Sequence, residues 1–75
     1  MLMNRTFEFS INLSAEKTQH IYQGQARYIL VYTDDGLRLQ LPAINFRQYV
    51  ASNGIQGRFK VEIDDHNKII QLSLI

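Results

Sequence analysis

Ala26-Arg27-Tyr28-Ile29-Leu30-Val31-Tyr32-Thr33, then Asp34-Asp35-Gly36, then Leu37-Arg38-Leu39-Gln40-Leu41: the reading of these residues decides the fold. The first run is apolar on both faces, Tyr28, Leu30 and Tyr32 against Ile29 and Val31, as in a central strand. Gly36 supplies a positive φ at little steric cost, so Asp34-Asp35-Gly36 reads as a hairpin turn. The chain returns with Leu37, Leu39 and Leu41 on one face and Arg38 and Gln40 on the other. Two registers satisfy this pattern. A two-residue Asp35-Gly36 loop pairs Leu39 with Tyr32 and Leu41 with Leu30. A three-residue loop pairs them with Val31 and Ile29 instead and exchanges the faces. The sequence leaves both open.

Upstream, Thr6 to Leu13 alternates strictly, with Phe7, Phe9, Ile11 and Leu13 on the apolar side of a half-buried strand. Ser14 suits an N-cap, Glu16 favours the positive end of the helix that follows, and Gly24 suits its C-terminal cap. Downstream, Pro42 fits a first helical turn, and Ala43, Phe46 and Val50, with Tyr49 beside them, predict a second helix reaching Asn53-Gly54. Phe59, Val61 and Ile63 alternate in a fourth strand. Asp64-Asp65-His66-Asn67 turns the chain into a fifth, carrying Ile70, Leu72 and Leu74. The order is β-α-β-β-α-β-β. Two short helices cannot cover both faces of five strands. The expected fold is therefore an α+β two-layer sandwich, a mostly antiparallel five-stranded sheet with one more open face, as one domain over residues 1–75.

Composition narrows the function classes. Eight Lys and Arg against seven Asp and Glu leave a formal net charge of +1, so the molecule as a whole is no strongly cationic binder of nucleic acid or membranes. There is no cysteine, which removes disulfide scaffolds and thiolate zinc sites and fits a reducing cytoplasm. The longest apolar run, Tyr28 to Tyr32, is too short to span a bilayer, and neither an h-region nor a small-residue cleavage site follows Arg5. A cytoplasmic location is the expectation. With 75 residues, hydrophobic burial on the order of 110 kcal/mol meets a chain-ordering cost of about the same size, which predicts a marginal monomer.

Several residues carry a resemblance: Gly24-x-Ala26, Asp35-Gly36, Pro42-Ala43, Phe46-Arg47-Gln48-Tyr49, Gly54-Ile55-x-Gly57-x-Phe59 and Asn67-Lys68. Together they span most of the chain, and it resembles the bacterial family of short proteins known as domain of unknown function 2835. The resemblance implies a small bacterial protein and assigns no activity.

Reactive chemistry is thinly represented. His20, one helical turn after Glu16, reads as a solvated pair. His66 beside Asp64 and Asp65 offers two carboxylates and an imidazole, but calcium needs about six oxygen ligands and zinc a third or fourth rigid one. Asp and Asn are also the preferred turn residues, so no metal and no other cofactor is expected. There is no thiol and no Gly-x-Ser-x-Gly elbow. The adjacent aspartates cannot face each other across a scissile bond, so no catalytic residue is assigned and an enzyme is not expected. A chain this short is also poorly suited to enclose a pocket for a small-molecule substrate. Gly54-Ile55-Gln56-Gly57 matches the clamp of KH modules only superficially, because here it leads from a helix into a strand.

Surfaces are more informative. On the open sheet face the strand positions gather Arg27, Arg38, Arg58 and Lys60 against Glu8 and Glu62, a candidate contact for a nucleic-acid backbone. In the two-residue register Ile29 and Val31 join that face, while Phe7, Phe9, Tyr28, Tyr32 and Phe59 point to the core. Sheet-type single-strand binders need exposed aromatics, so nucleic acid is the second choice. The terminal strand, Lys68 to Ile75, has high β propensity and one charge, at its beginning. At a sheet edge it lacks the usual protective charges or proline and invites another chain. A non-catalytic protein-interaction or self-association module, a homodimer or a partner binder, is the first choice, with Ile29, Val31, Ile70, Leu72 and Leu74 as the contact residues.

Overall fold

The computed structural model describes residues 4–75. Strand β1 spans Arg5–Leu13, helix α1 Ala15–Tyr22, β2 Tyr28–Tyr32, β3 Arg38–Pro42, a 3-10 helix Ala43–Tyr49, β4 Ile55–Ile63 and β5 Ile69–Leu74. The expected class holds: α+β, with five antiparallel strands and two helices in the expected order. The strands divide, however, into a three-stranded sheet β1-β4-β5 and the β2-β3 hairpin. Between β1 and β2 there is an antiparallel bridge from Phe9 to Thr33, and the Asp34 N–H donates to the Glu8 carbonyl at 2.9 Å. The sheet is thus stitched at one end of a seam.

Both hairpins use the same loop. The Thr33 N–H donates to the Leu37 carbonyl and the Gly36 N–H to the Thr33 carbonyl. The second turn repeats this, Asp64 N–H to Lys68 carbonyl and Asn67 N–H to Asp64 carbonyl. Gly36 and Asn67 take the left-handed position at φ 89° and 63°. At the first loop position the Thr33 hydroxyl accepts from the Leu37 N–H at 3.0 Å, and the Asp64 carboxylate accepts from the Lys68 N–H at 2.9 Å.

This loop selects the three-residue register, with Leu39 opposite Val31 and Leu41 opposite Ile29. The face assignment made with the shorter loop is therefore reversed. Ile29, Val31 and Leu41 are buried, whereas Tyr28, Leu30 and Tyr32 are 58%, 50% and 63% exposed. Ile29 and Val31 belong to the core and offer nothing to a partner.

The second helix also departs from expectation. Ala43, Phe46 and Tyr49 recur at intervals of three, which superimposes them on one side of a 3-10 helix rather than spreading them around an α-helix. It ends at Tyr49, with Val50 already extended. Pro42 closes β3 as the N-cap, outside the helical turn. Gly54 caps no helix. It lies in a tight turn with Ala51, and an ideal Cβ there would stand 2.0 Å from the Leu13 carbonyl oxygen. α1 follows the sequence closely. The Ser14 hydroxyl accepts from the Lys17 N–H, and the Gly24 and Gln25 N–H groups close the C-terminus on the Ile21 and His20 carbonyls.

The core is an aromatic cluster between sheet and helices. Phe9 and Phe59 are cross-strand partners with stacked rings 5.9 Å apart. Phe46 sets its edge against both, at 6.3 and 5.7 Å, and Tyr49 lies edge-on to Phe59 at 5.0 Å. Such contacts add about 0.5–1.5 kcal/mol each beyond area burial. The 3-10 helix is thereby pinned to the inner face, with α1 packed beside it.

Candidate functional site

β5 is an edge strand. Among the described residues it pairs with β4 alone, so the condition attached to the terminal strand is met. The Ile75 N–H donates to the Arg58 carbonyl on β4 at 2.9 Å, and the Tyr49 hydroxyl donates to the Leu72 carbonyl at 3.1 Å from beneath. Backbone groups alternate along a strand, so Leu72 and Leu74 turn their amides to the open edge. Ile70, Leu74 and Ile75 are half exposed or more, and Leu72 packs partly against the core. A bulge at Glu62/Ile63 distorts the ladder only near Ile70. The opposite edge, β3, is guarded by exposed Arg38 and by Pro42, which has no N–H to offer.

A second surface comes from the reversed hairpin. Tyr28, Leu30 and Tyr32 alternate along β2, opposite Pro42, Gln40 and Arg38. Sequence reasoning placed these aromatics in the core. The signal that finds them is the shared loop grammar: a side-chain acceptor at Thr33 or Asp64, and a residue tolerant of positive φ three places on. Tyr22 is exposed on α1 and holds the Arg47 guanidinium 4.8 Å above its ring.

The four cations are not brought together in one sheet. Arg58 and Lys60 lie on β4, Arg38 on β3, and Arg27 in the loop before β2. Arg58 is already engaged: its guanidinium meets the Asp34 carboxylate at 2.5 and 3.0 Å, Ser10 Oγ at 3.1 Å and Glu8 at 3.4 Å. The bond to Asp34 raises the Arg58 pKa above its ordinary value, and Arg58 in turn holds the Asp34 carboxyl below its own. Arg58 is a clasp across the seam. The shallow depression beside it, about 200 Å³, is lined by Thr6, Lys60, Glu62, Gln71 and Ser73 and contains one cation and one anion.

The turn at His66 is a backbone device. Asp64 Oδ1 accepts from the His66 and Lys68 N–H groups at 2.8 and 2.9 Å, which lowers its pKa, the Lys68 bond contributing most. His66 itself points outward, 3.8 Å from Asp65. Its companion His20 shares a 2.8 Å contact with Gln25 at the end of α1. No group of three or more His, Cys, Asp or Glu among the described residues is placed to hold a metal ion.

The model of a family described as protein of unknown function (DUF2835) matches residues 5–75, from the first residue of β1 through β5. The chain belongs to this family. No curated protein and no solved structure matches it. For this DUF2835 protein the guide is therefore its own surface, in which an unguarded edge strand and a tyrosine-bearing hairpin face stand out. No helix among its described residues is long and apolar enough to cross a membrane.

Proposed function

We propose that this DUF2835 protein is a non-catalytic interaction module of the bacterial cytoplasm that takes up a strand of another polypeptide along β5. The observation that carries this reading is the contrast between edges: β3 has an arginine and a proline, β5 has neither charge nor proline from Ile69 to Ile75. Edge backbone supplies the affinity in strand addition, and alternate side chains supply the specificity. The cysteine-free composition suits a reducing compartment.

The test is purification of the tagged protein from its native cell beside a Leu74→Pro variant. Proline at this position removes an outward N–H and leaves the bonds to β4 in place. A stoichiometric polypeptide companion, or a second copy, that is lost with Leu74→Pro is the expected outcome. Companions retained by Leu74→Pro but lost with Tyr32→Ala overturn the reading.

A second reading, single-stranded nucleic acid on the hairpin face, gains one observation: Tyr28 and Tyr32 are exposed, with Arg38 opposite Tyr32. It loses Arg58, which Asp34 and Glu8 already neutralise. Oligonucleotide-induced amide shifts at Tyr28, Tyr32 and Arg38 that fade with salt are its required signature. Their absence at low salt removes it.

A further inference from the structure

We infer that the occupant of the β5 edge is a second copy of this chain, paired antiparallel about a two-fold axis at Ser73. This inference rests on the edge reading above and names the partner. Leu72 and Leu74 are the residues whose amides face outward, and Ile70 lies at the bulge. The register that uses both amides and avoids the bulge sets Leu72 against Leu74 of the other copy, and Leu74 against its Leu72, with Ser73 facing Ser73 between them. That gives about four ladder bonds by the alternation of antiparallel strands, two of them sharing a Leu72 carbonyl with the Tyr49 hydroxyl that already donates to it.

The side chains satisfy the same symmetry. A two-fold interface must match its own surface, residue i meeting j and j meeting i. Here leucine meets leucine on the inner face, where Leu74 is 56% exposed in the isolated chain. Serine meets serine on the outer face, where cross-strand hydroxyls bond each other. No charge lies between Ile69 and Ile75, so no like charges oppose across the axis. The nearest pair, Lys60 opposite Ser73 in each copy, would stand three strand spacings apart, roughly 14 Å, beyond the Debye length at physiological salt. The product is one continuous sheet, β1-β4-β5 joined to its copy.

Area sets the strength. About five paired residues make a contact roughly 17 Å long and ~10 Å deep, well short of the ~800 Å² per partner of a standard stable complex. The dimer is therefore transient, with a dissociation constant of about 10 µM to 1 mM.

The decisive experiment exploits the absence of cysteine. Facing residues of a non-hydrogen-bonded antiparallel pair have Cα atoms about 4.5 Å apart, within disulfide range. Under mild oxidation at about 100 µM, Ser73→Cys should form covalent dimer at least ten times faster than Asn12→Cys, an exposed control on β1. Light scattering of the unaltered chain should rise towards twice the monomer mass by millimolar concentration. Ser73→Glu, which places like charges on the axis beside Lys60 of its own chain, should stay monomeric. Equal rates for the two cysteine variants, or a monomer at 1 mM, overturn the second copy. If a companion lost with Leu74→Pro is then still found, the edge reading stands and only self-pairing falls. If Leu74→Pro changes nothing in either assay, both fall.

Discussion

The Arg58 guanidinium and the Asp34 carboxylate meet at 2.5 Å although Arg58 lies in the three-stranded sheet and Asp34 in the loop of the separate β2-β3 hairpin. Arg58 reaches over β1 to do so, touching Ser10 and Glu8 on the way. Beyond the Phe9–Thr33 bridge, β1 and β2 flank a groove of about 220 Å³ lined by residues from Ser10 to Leu13 and from Ile29 to Tyr32. Arg58→Ala should speed hydrogen exchange of the Asp34 amide, which the clasp holds on the Glu8 carbonyl. The pair is solvent-exposed, so global stability should change little, and high salt should reproduce part of the effect. An unaltered Asp34 exchange rate counts against the clasp.

Acid should weaken the protein at two turns. Asp34 and Asp64 both titrate below the ordinary 3.8, held down by Arg58 and by the Lys68 and His66 amides respectively. A depressed folded pKa contributes stability that is complete above the unfolded value and is lost as pH falls through the folded one. Urea midpoints should therefore be flat with respect to these groups above about pH 5 and fall below about pH 4. Asp64→Asn should flatten part of that fall, and Asp34→Asn only a small further part, because its solvent-exposed pair with Arg58 adds little to global stability. A double variant with the original pH profile would falsify the assignment.

Phe46→Ala empties the centre of the aromatic cluster. The ring is fully buried against Phe9 and Phe59, and truncations of this kind cost about 3–5 kcal/mol. In a chain this small that is most of the stability, so the variant should lose its cooperative urea transition. Phe46→Leu, which leaves a smaller void, should keep one.

Two glycines should respond differently to alanine. Gly54→Ala sets a Cβ 2.0 Å from the Leu13 oxygen and 2.7 Å from the Ser14 carbonyl carbon, so backbone must move. Gly24→Ala meets nothing within 4 Å and bears only the left-handed conformational cost, about 1–2 kcal/mol. Thermal unfolding should show a modest fall for Gly24→Ala and a severe one, or no folded protein, for Gly54→Ala.

The strands, α1 and the family were legible in the sequence because each rests on local pattern: alternation in Thr6–Leu13, the Ser14 cap, the Gly24 stop. The hairpin register was not. Asp35-Gly36 suits a two-residue and a three-residue loop alike, and the features that accompany the three-residue loop, the Thr33 hydroxyl on the Leu37 amide and the joint burial of Ile29, Val31 and Leu41, show only in the folded chain. The three-residue register buries Ile29, Val31 and Leu41 and leaves Tyr28 and Tyr32 available to a partner. The second helix forms where the sequence places it, but as a shorter 3-10 helix, because Ala43, Phe46 and Tyr49 obey a period of three whereas Phe46 and Val50 suggest one of 3.6. The terminal strand's position needed the long-range pairing of β1 with β4, which no local signal contains. The Arg58 clasp joins residues far apart in sequence and lay out of reach for the same reason.

The β1–β4 ladder sets Arg5 against Ile63 and Leu13 against Ile55, whereas both hairpins close over three residues. The hairpins can form within microseconds of their sequences becoming available, but β1 must wait for almost the entire chain. During synthesis β1 emerges well before β4, with Phe7, Phe9 and Ile11 uncovered in the interval. Docking of that early strand onto a late one should therefore be the slow step of folding. A refolding rate that Phe9→Leu leaves unchanged, despite lowered stability, would mean that the ladder closes only after the barrier has been crossed.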